Sequence, residues 1–259
     1  MLFISNRNGA DGIFLASGTT IQTILSDGFK NQRAMLSPDG KKVLYASDKD
    51  GDDEIYTMDV DGGGAKALTS NSKSDVEPVW SPDGKQIAYS TNTSGTYDVW
   101  IMNADGTSGT QITFSPKDDR APTWSNDGKK LAFQTNRDGT WQIYVIDLAS
   151  KVETRIVNNS ANTQNPNWSP TKNVIAYDSD QDGNVELYTI NSDSSGEQRL
   201  TNNSAADSNP WWSSDSAKLS FQSTRNGNLD IFMMEGFSGA NAILLLTGST
   251  DEKLPSWGK

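Results

Sequence analysis

Asp178, Asp180 and Asp182 stand at alternating positions ahead of Gly183 in the segment DSDQDGNVE, the pattern of a loop that wraps Ca²⁺. That hard cation takes roughly six to eight oxygens, and alternate side chains of a tight loop supply several of them. The segment is not an EF-hand, because the twelfth position is Thr189 and Glu186 follows Asp182 by four residues. A second candidate is SDKDGDDE at 47–54. The matching segments TNRDGTWQ and STRNGNLD lack these carboxylates, so a plain hairpin turn is the preferred reading. Ca²⁺ is nevertheless the one cofactor that the sequence suggests. No nucleophile chemistry stands beside it. The chain has no His and no Cys, which removes Ser-His-Asp triads, thiolates and His/Cys zinc sites. Carboxylates abound, but no spacing singles out a glycosidase-like pair. A non-catalytic protein is therefore favoured over an enzyme.

The elements that carry these residues repeat. Trp80, Trp124, Trp168 and Trp212 lie 44 residues apart, Trp257 follows after 45, and Leu36 precedes Trp80 by 44. In phase run SNRNG, SDKDG, TNTSG, TNRDG, SDQDG and STRNG, then GIFLA, EIYTM, DVWIM, QIYVI, ELYTI and DIFMM. Each unit reads as four short strands of β-branched, aromatic and aliphatic residues bounded by Gly, Asp and Asn turns. Four strands per unit of about 40–45 residues predict a propeller blade, and six units predict an all-β, six-bladed propeller of antiparallel blades. The chain ends in LPSWGK, a first strand without a second, and begins in MLFISNRNG, a second strand without a first. One domain over 1–259 is expected, its last blade formed by about 252–259 plus 1–28. This closes the ring and pairs both edges. The two ends then lie within about 15 Å, the reach of four extended residues.

The recurrent W-S-P-D-G-K string followed by I-A-Y/F, R-D-G and I-Y, clearest in 80–101 and 124–144, resembles the TolB-like propellers of WD40-like PD40 repeats. True WD40 blades carry a His that this chain lacks. The resemblance implies a rigid binding module in the bacterial periplasm or a secreted setting. TolB itself docks an outer-membrane lipoprotein and carries a further α/β domain. Oligogalacturonate lyases are similar in fold but use His-ligated metal, so their activity is not carried over. An excised or engineered propeller is a further reading.

Propeller topology then places candidate residues. The evenly copied Trp are assigned to packing between blades. Tyr97, Trp141 and Trp211 occupy positions where other blades carry Asp11, Asp53, Thr123 or Asn167, and are expected together on one face as an aromatic platform. Local packing is the competing reading, favoured by Val185 and Leu229 at the Trp141 position. Asp75, Asp119, Asp207 and Glu252 are expected to ring a channel mouth, interleaved with Arg7, Arg137 and Arg225. They would attract a cation or a basic partner segment, or else simply close strand ends. The expected partner is a protein or peptide, with a glycan as the alternative. A net charge of −11 argues against nucleic acid, and no apolar run is long enough to insert in a membrane. A monomer is expected, and MLFISNRNGADG lacks the pattern of a signal peptide, so a signal for export would have been removed ahead of this numbering.

Overall fold

The computed structural model describes residues 1–257, so Gly258 and Lys259 of the predicted last blade lie outside the described residues. It is all β, with six four-stranded antiparallel sheets. The first blade holds β4 (Asn31–Leu36), β5 (Lys42–Ser47), β6 (Glu54–Asp59) and β7 (Lys66–Ala67). The second holds β8 (Asp75–Trp80), β9 (Gln86–Thr91), β10 (Asp98–Asn103) and β11 (Thr110–Gln111). The third holds β12 (Asp119–Trp124), β13 (Lys130–Thr135), β14 (Gln142–Asp147) and β15 (Glu153–Arg155). The fourth holds β16 (Thr163–Trp168), β17 (Val174–Ser179), β18 (Glu186–Asn191) and β19 (Gln198–Arg199). The fifth holds β20 (Asp207–Trp212), β21 (Lys218–Ser223), β22 (Asp230–Glu235) and β23 (Ile243–Leu246). The sixth is built from both ends, in the order β24 (Glu252–Ser256), β1 (Leu2–Asn8), β2 (Ala10–Ser17) and β3 (Thr20–Leu25). Its closing pairs are Leu2 with Ser256, Ile4 with Lys253 and Ser5 with Glu252.

Second strands such as VLYAS and LAFQT are buried along nearly their whole length, because each blade is covered on both faces by its neighbours. Second and third strands meet through stacked aromatic pairs. The ring centroids of Tyr45 and Tyr56 lie 5.6 Å apart, those of Tyr177 and Tyr188 5.7 Å, and those of Phe221 and Phe232 5.8 Å. The Trp that ends an inner strand is wedged between blades. Trp168 sits in a core with Ile143, Val145 and Ile156 of the third blade and Ile175 of its own. Trp124 Nε1 donates to Val79 O (3.3 Å) and Trp212 Nε1 to Asn167 O (3.1 Å), which tethers each blade to the one before it.

The inner strand is the edge of its sheet, and it is bulged in every blade. Its third residue is left-handed each time: Arg33 (φ 49°), Glu77 (55°), Ala121 (51°), Asn165 (51°), Asn209 (51°) and Leu254 (49°). A Pro follows in all but the first blade, where Ala34 stands. Pro suits a bulged edge because no ladder hydrogen bond is lost there. After the strand, Ser37, Ser81 and Ser125 donate to Asp39, Asp83 and Asp127, and Gly40, Gly84 and Gly128 take the left-handed turn position.

Trp212 is 1% exposed and sits next to a half-buried Trp211. Trp212→Ala should lower unfolding free energy by about 3–5 kcal/mol. Trp211→Ala should cost less than about 1 kcal/mol. Equilibrium denaturation of the two variants checks both values.

Candidate functional site: the two mouths of one channel

The bulge turns the third residue of each inner strand into the central channel and releases its N–H from the sheet. In four blades a second-strand side chain of the preceding blade takes that N–H. Ala121 N donates to Ser90 Oγ (3.1 Å), Asn165 N to Gln134 Oε1 (2.7 Å), Asn209 N to Asp178 Oδ2 (2.9 Å) and Leu254 N to Gln222 Oε1 (3.0 Å). Ile4 and Ala46 occupy the acceptor position at the other two junctions, where the third residues are the charged Arg33 and Glu77. Arg33 reaches from the first blade across the channel, its Nη2 donating to Asn165 Oδ1 (3.0 Å) and Asn209 Oδ1 (3.4 Å). Burial lowers its pKa from the ordinary guanidinium value. Glu77 accepts from Ser90 Oγ (2.9 Å) and Ala121 N (2.8 Å), and pairs with Arg120 Nε (3.4 Å).

Below these side chains the channel is a neck of about 20 Å³, lined by third, fourth and fifth residues of the inner strands, among them Arg33, Pro78, Pro122, Asn167 and Trp211. It opens toward the Pro-Asp-Gly turns into a funnel of about 440 Å³. The funnel wall is made of Trp80, Trp124, Trp168, Trp211, Trp212 and Trp257, with Pro38, Pro82, Pro170 and small polar residues including Asn126, Asn167 and Thr123. No charged side chain lines it. This mouth was not expected from the sequence. Its signal was there, in an inner-strand Trp motif whose ring edges had to face something at the end of the channel.

Trp211 corrects the expectation of a single aromatic face. It is the fifth residue of β20, paired with Ser220, and it belongs to the neck and funnel. Tyr97 and Trp141 precede β10 and β14 at the other end, where Asp119 N donates to Tyr97 O (2.7 Å) and Thr163 N to Trp141 O (2.8 Å). An extended strand advances about 3.3 Å per residue, so one inner strand carries its first and fifth residues to opposite mouths. Tyr97 is already covered by the Arg120 guanidinium, 4.1 Å from its ring centroid.

The four acidic residues do open the inner strands at that second mouth, but none is free on a rim. Asp119, Asp207 and Glu252 are 0% exposed and Asp75 is 2% exposed. Arg137 Nη2 donates to both oxygens of Asp119 (3.0 and 2.9 Å) and Arg225 Nη2 to both of Asp207 (2.9 and 2.8 Å). Arg7 Nη2 donates to Glu252 (2.8 Å). Each of these Arg lies over the aromatic pair of its own blade. Asp75 has no Arg. It accepts from Asn71 Nδ2 (2.8 Å) and faces Glu54, and burial raises the pKa of both carboxyls.

The three carboxylates of the candidate Ca²⁺ loop do not converge. Asp178 faces the channel wall, where it holds Asn209 N and Asn165 Nδ2 (2.9 Å each). Asp180 accepts from Asn162 N (2.8 Å), while Asp182 accepts from Tyr188 Oη (2.6 Å) and Arg199 Nη1 (3.0 Å). Only Asp178 lies on β17; Asp180 and Asp182 fall in the turn after it, where the chain reverses, so the three carboxylates meet different partners. Among the described residues no group of three or more acidic side chains converges on a possible metal position.

These features define a six-bladed propeller with a plugged channel and one deep mouth. The model of the TolB beta propeller domain family, PD40, matches residues 1–120 and 115–258, and the chain belongs to that family. Similar solved structures include one reported as TolB from Agrobacterium tumefaciens, with 22% identity, a TM-score of 0.82, and coverage of 92% of this chain and 90% of that one. TolB from Acinetobacter baumannii is 21% identical with a TM-score of 0.85, and the match covers 98% of this chain but 65% of that protein. Oligogalacturonate lyase from Vibrio parahaemolyticus is 14% identical with a TM-score of 0.65, covering 96% and 72%. At these identities the likeness concerns the fold. No curated protein matches the chain.

Burial raises the pKa of Asp178 from 3.8 to about 6. The folded state thus holds this proton more tightly than the unfolded state. Stability attributable to the group is greatest at low pH, falls as pH rises from about 4 to about 6, and is level above that. Gln134 and Gln222 fill the same role uncharged. Asp178→Asn should therefore flatten this slope and match or exceed the parent at pH 7, by up to about 3 kcal/mol. Urea unfolding across pH 4–8 checks it.

Proposed function

We propose that this propeller is a non-catalytic docking module, and that a peptide segment of a protein partner seats in the funnel on the Pro-Asp-Gly turn face. The observation that carries this reading is the uncharged, Trp- and Pro-lined mouth of about 440 Å³, within the size range of pockets that bury most of a ligand. Trp is also the residue type most enriched where a few contacts dominate binding. The rigid ring supports the reading as well, because a preformed site loses little entropy when it is filled. Family membership supports a binding or scaffold role and, through the TolB resemblance, an extracytoplasmic location.

A second reading keeps the partner on the opposite mouth, around Tyr97, Trp141 and the strand-opening residues Asp75, Asp119, Arg137, Asp207 and Glu252. It is favoured by the half-buried Trp141, over which, unlike Tyr97, no guanidinium lies among the described residues. Glycan binding is the alternative ligand class for either mouth.

Peptide display against the purified propeller separates these readings. Selected peptides should lose at least about tenfold in affinity with Trp211→Ala and keep it with Trp141→Ala. The reverse pattern would move the site to the second mouth. If no peptide is selected, the peptide-docking reading fails and a glycan array is the next measurement.

A further inference from the structure

The funnel narrows onto a cation. Arg33 lines the neck, and only its Nη2 is engaged, by two neutral amide oxygens. Among the described residues no carboxylate comes within salt-bridge distance of it, although every other buried or half-buried guanidinium named above has one. The acids nearest in effect, Glu77 and Asp178, are committed elsewhere. Glu77 holds Ala121 N and Arg120, and Asp178 holds Asn209 N and Asn165 Nδ2. Prolines occupy the fourth inner-strand position in the neck wall, so that level offers no backbone N–H in five of the six blades. Arg33 is thus the one cation lining the neck; the only other charged residue in that lining, Glu77, is neutralised by Arg120 and held by Ala121 N.

Resting on the reading of the funnel as a docking site, we propose that the neck is a receptor for a free main-chain carboxylate. The occupant is then the C-terminus of a partner peptide whose last residues are uncharged and apolar. The dimensions select that end. A neck of about 20 Å³ admits a group about the size of one water, such as a carboxylate oxygen, and no side chain can follow it through. The funnel beneath takes the last few residues, with Trp and Pro surfaces against apolar side chains and Asn and Thr amides and hydroxyls available to the peptide backbone. A guanidinium with open donors in a poorly hydrated site is suited to an anionic acceptor, since charge-assisted hydrogen bonds are roughly twice as strong as neutral ones. Capture of a chain end also avoids the loss that an internal segment would suffer on burying charged flanks in an uncharged wall.

The test uses octapeptides with four randomised C-terminal residues, each synthesised as the free acid and as the C-terminal amide. Binding is measured to the unmodified propeller and to Arg33→Gln and Arg33→Lys. The expected result is that the best free acids bind at least about tenfold tighter than their amides, that Arg33→Gln abolishes the difference, and that Arg33→Lys keeps part of it. Equal binding of acid and amide to the unmodified propeller would overturn the carboxylate receptor while leaving peptide docking in place. Absence of binding in either form would overturn both. The acid–amide comparison on the unmodified protein decides the matter even if Arg33→Gln fails to fold.

Discussion

The left-handed bulge at the third residue of every inner strand is the constraint on which the rest of this propeller hangs. A non-Gly residue held there costs on the order of 1–3 kcal/mol, and the molecule holds six. In four of the six blades the bulge takes one N–H out of the sheet and hands it to a side chain of the preceding blade. It also aims one side chain per blade into the channel. A buried N–H left without an acceptor would cost about as much again, so the clasp and the strain stand or fall together. Blade contact, channel content and the closed neck are thus set by one backbone feature repeated around the ring.

Charge is organised by the same geometry. A chain of net charge −11 could be expected to display its carboxylates, yet those that open the inner strands are buried. Each sits beside the residue of the preceding blade's third strand that pairs with the sixth position of its second strand, or with Ser5 in the last blade. The junctions read Glu54 with Asp75, Asp98 with Asp119, Glu186 with Asp207 and Asp230 with Glu252, while Gln142 meets Thr163 and Gly12 meets Asn31. An acid on one side goes with an acid on the other, and a neutral residue with a neutral one. Three acidic junctions are offset by an Arg from the next hairpin, and Glu54 with Asp75 is left as a carboxyl pair held by hydrogen bonds. A buried pair of like charges is sustained only by a shared proton or a neighbouring cation, which is why burial and proximity push Glu54 upward.

The two mouths consequently differ in kind. One is finished by ion pairs and by Tyr97 beneath Arg120, and its remaining buried carboxyl oxygens, on Glu54, Asp75, Glu186, Asp230 and Glu252, face inward at the blade junctions. The other ends in Trp edges and proline rings, with a guanidinium above them that forms no salt bridge among the described residues. Water leaves the second kind of surface at lower cost, and a partner gains more by covering it.

Period, strand types and turn residues were legible along the chain because each is a local property: a 44-residue repeat, alternating apolar residues and Asp-Gly turns dictate blades wherever they occur. Ring closure was legible too, since LPSW and MLFIS are halves of one motif, and β24 does pair with β1. The sequence therefore determined a six-bladed ring and the packing role of its Trp. Only the tertiary structure decided which end of the channel each side chain serves. Trp211 and Trp212 are neighbours in sequence, yet strand alternation sends one to the channel and the other between blades. Asp178 resembles a cation ligand by spacing, but its partners, Asn165 and Asn209, lie 13 and 31 residues away and meet it only through the bulges of its own blade and the next. Arg33 carried no local signal at all. Its meaning comes from crossing the ring to blades three and four units along the chain, and a distance across a closed ring is not written in any window of sequence.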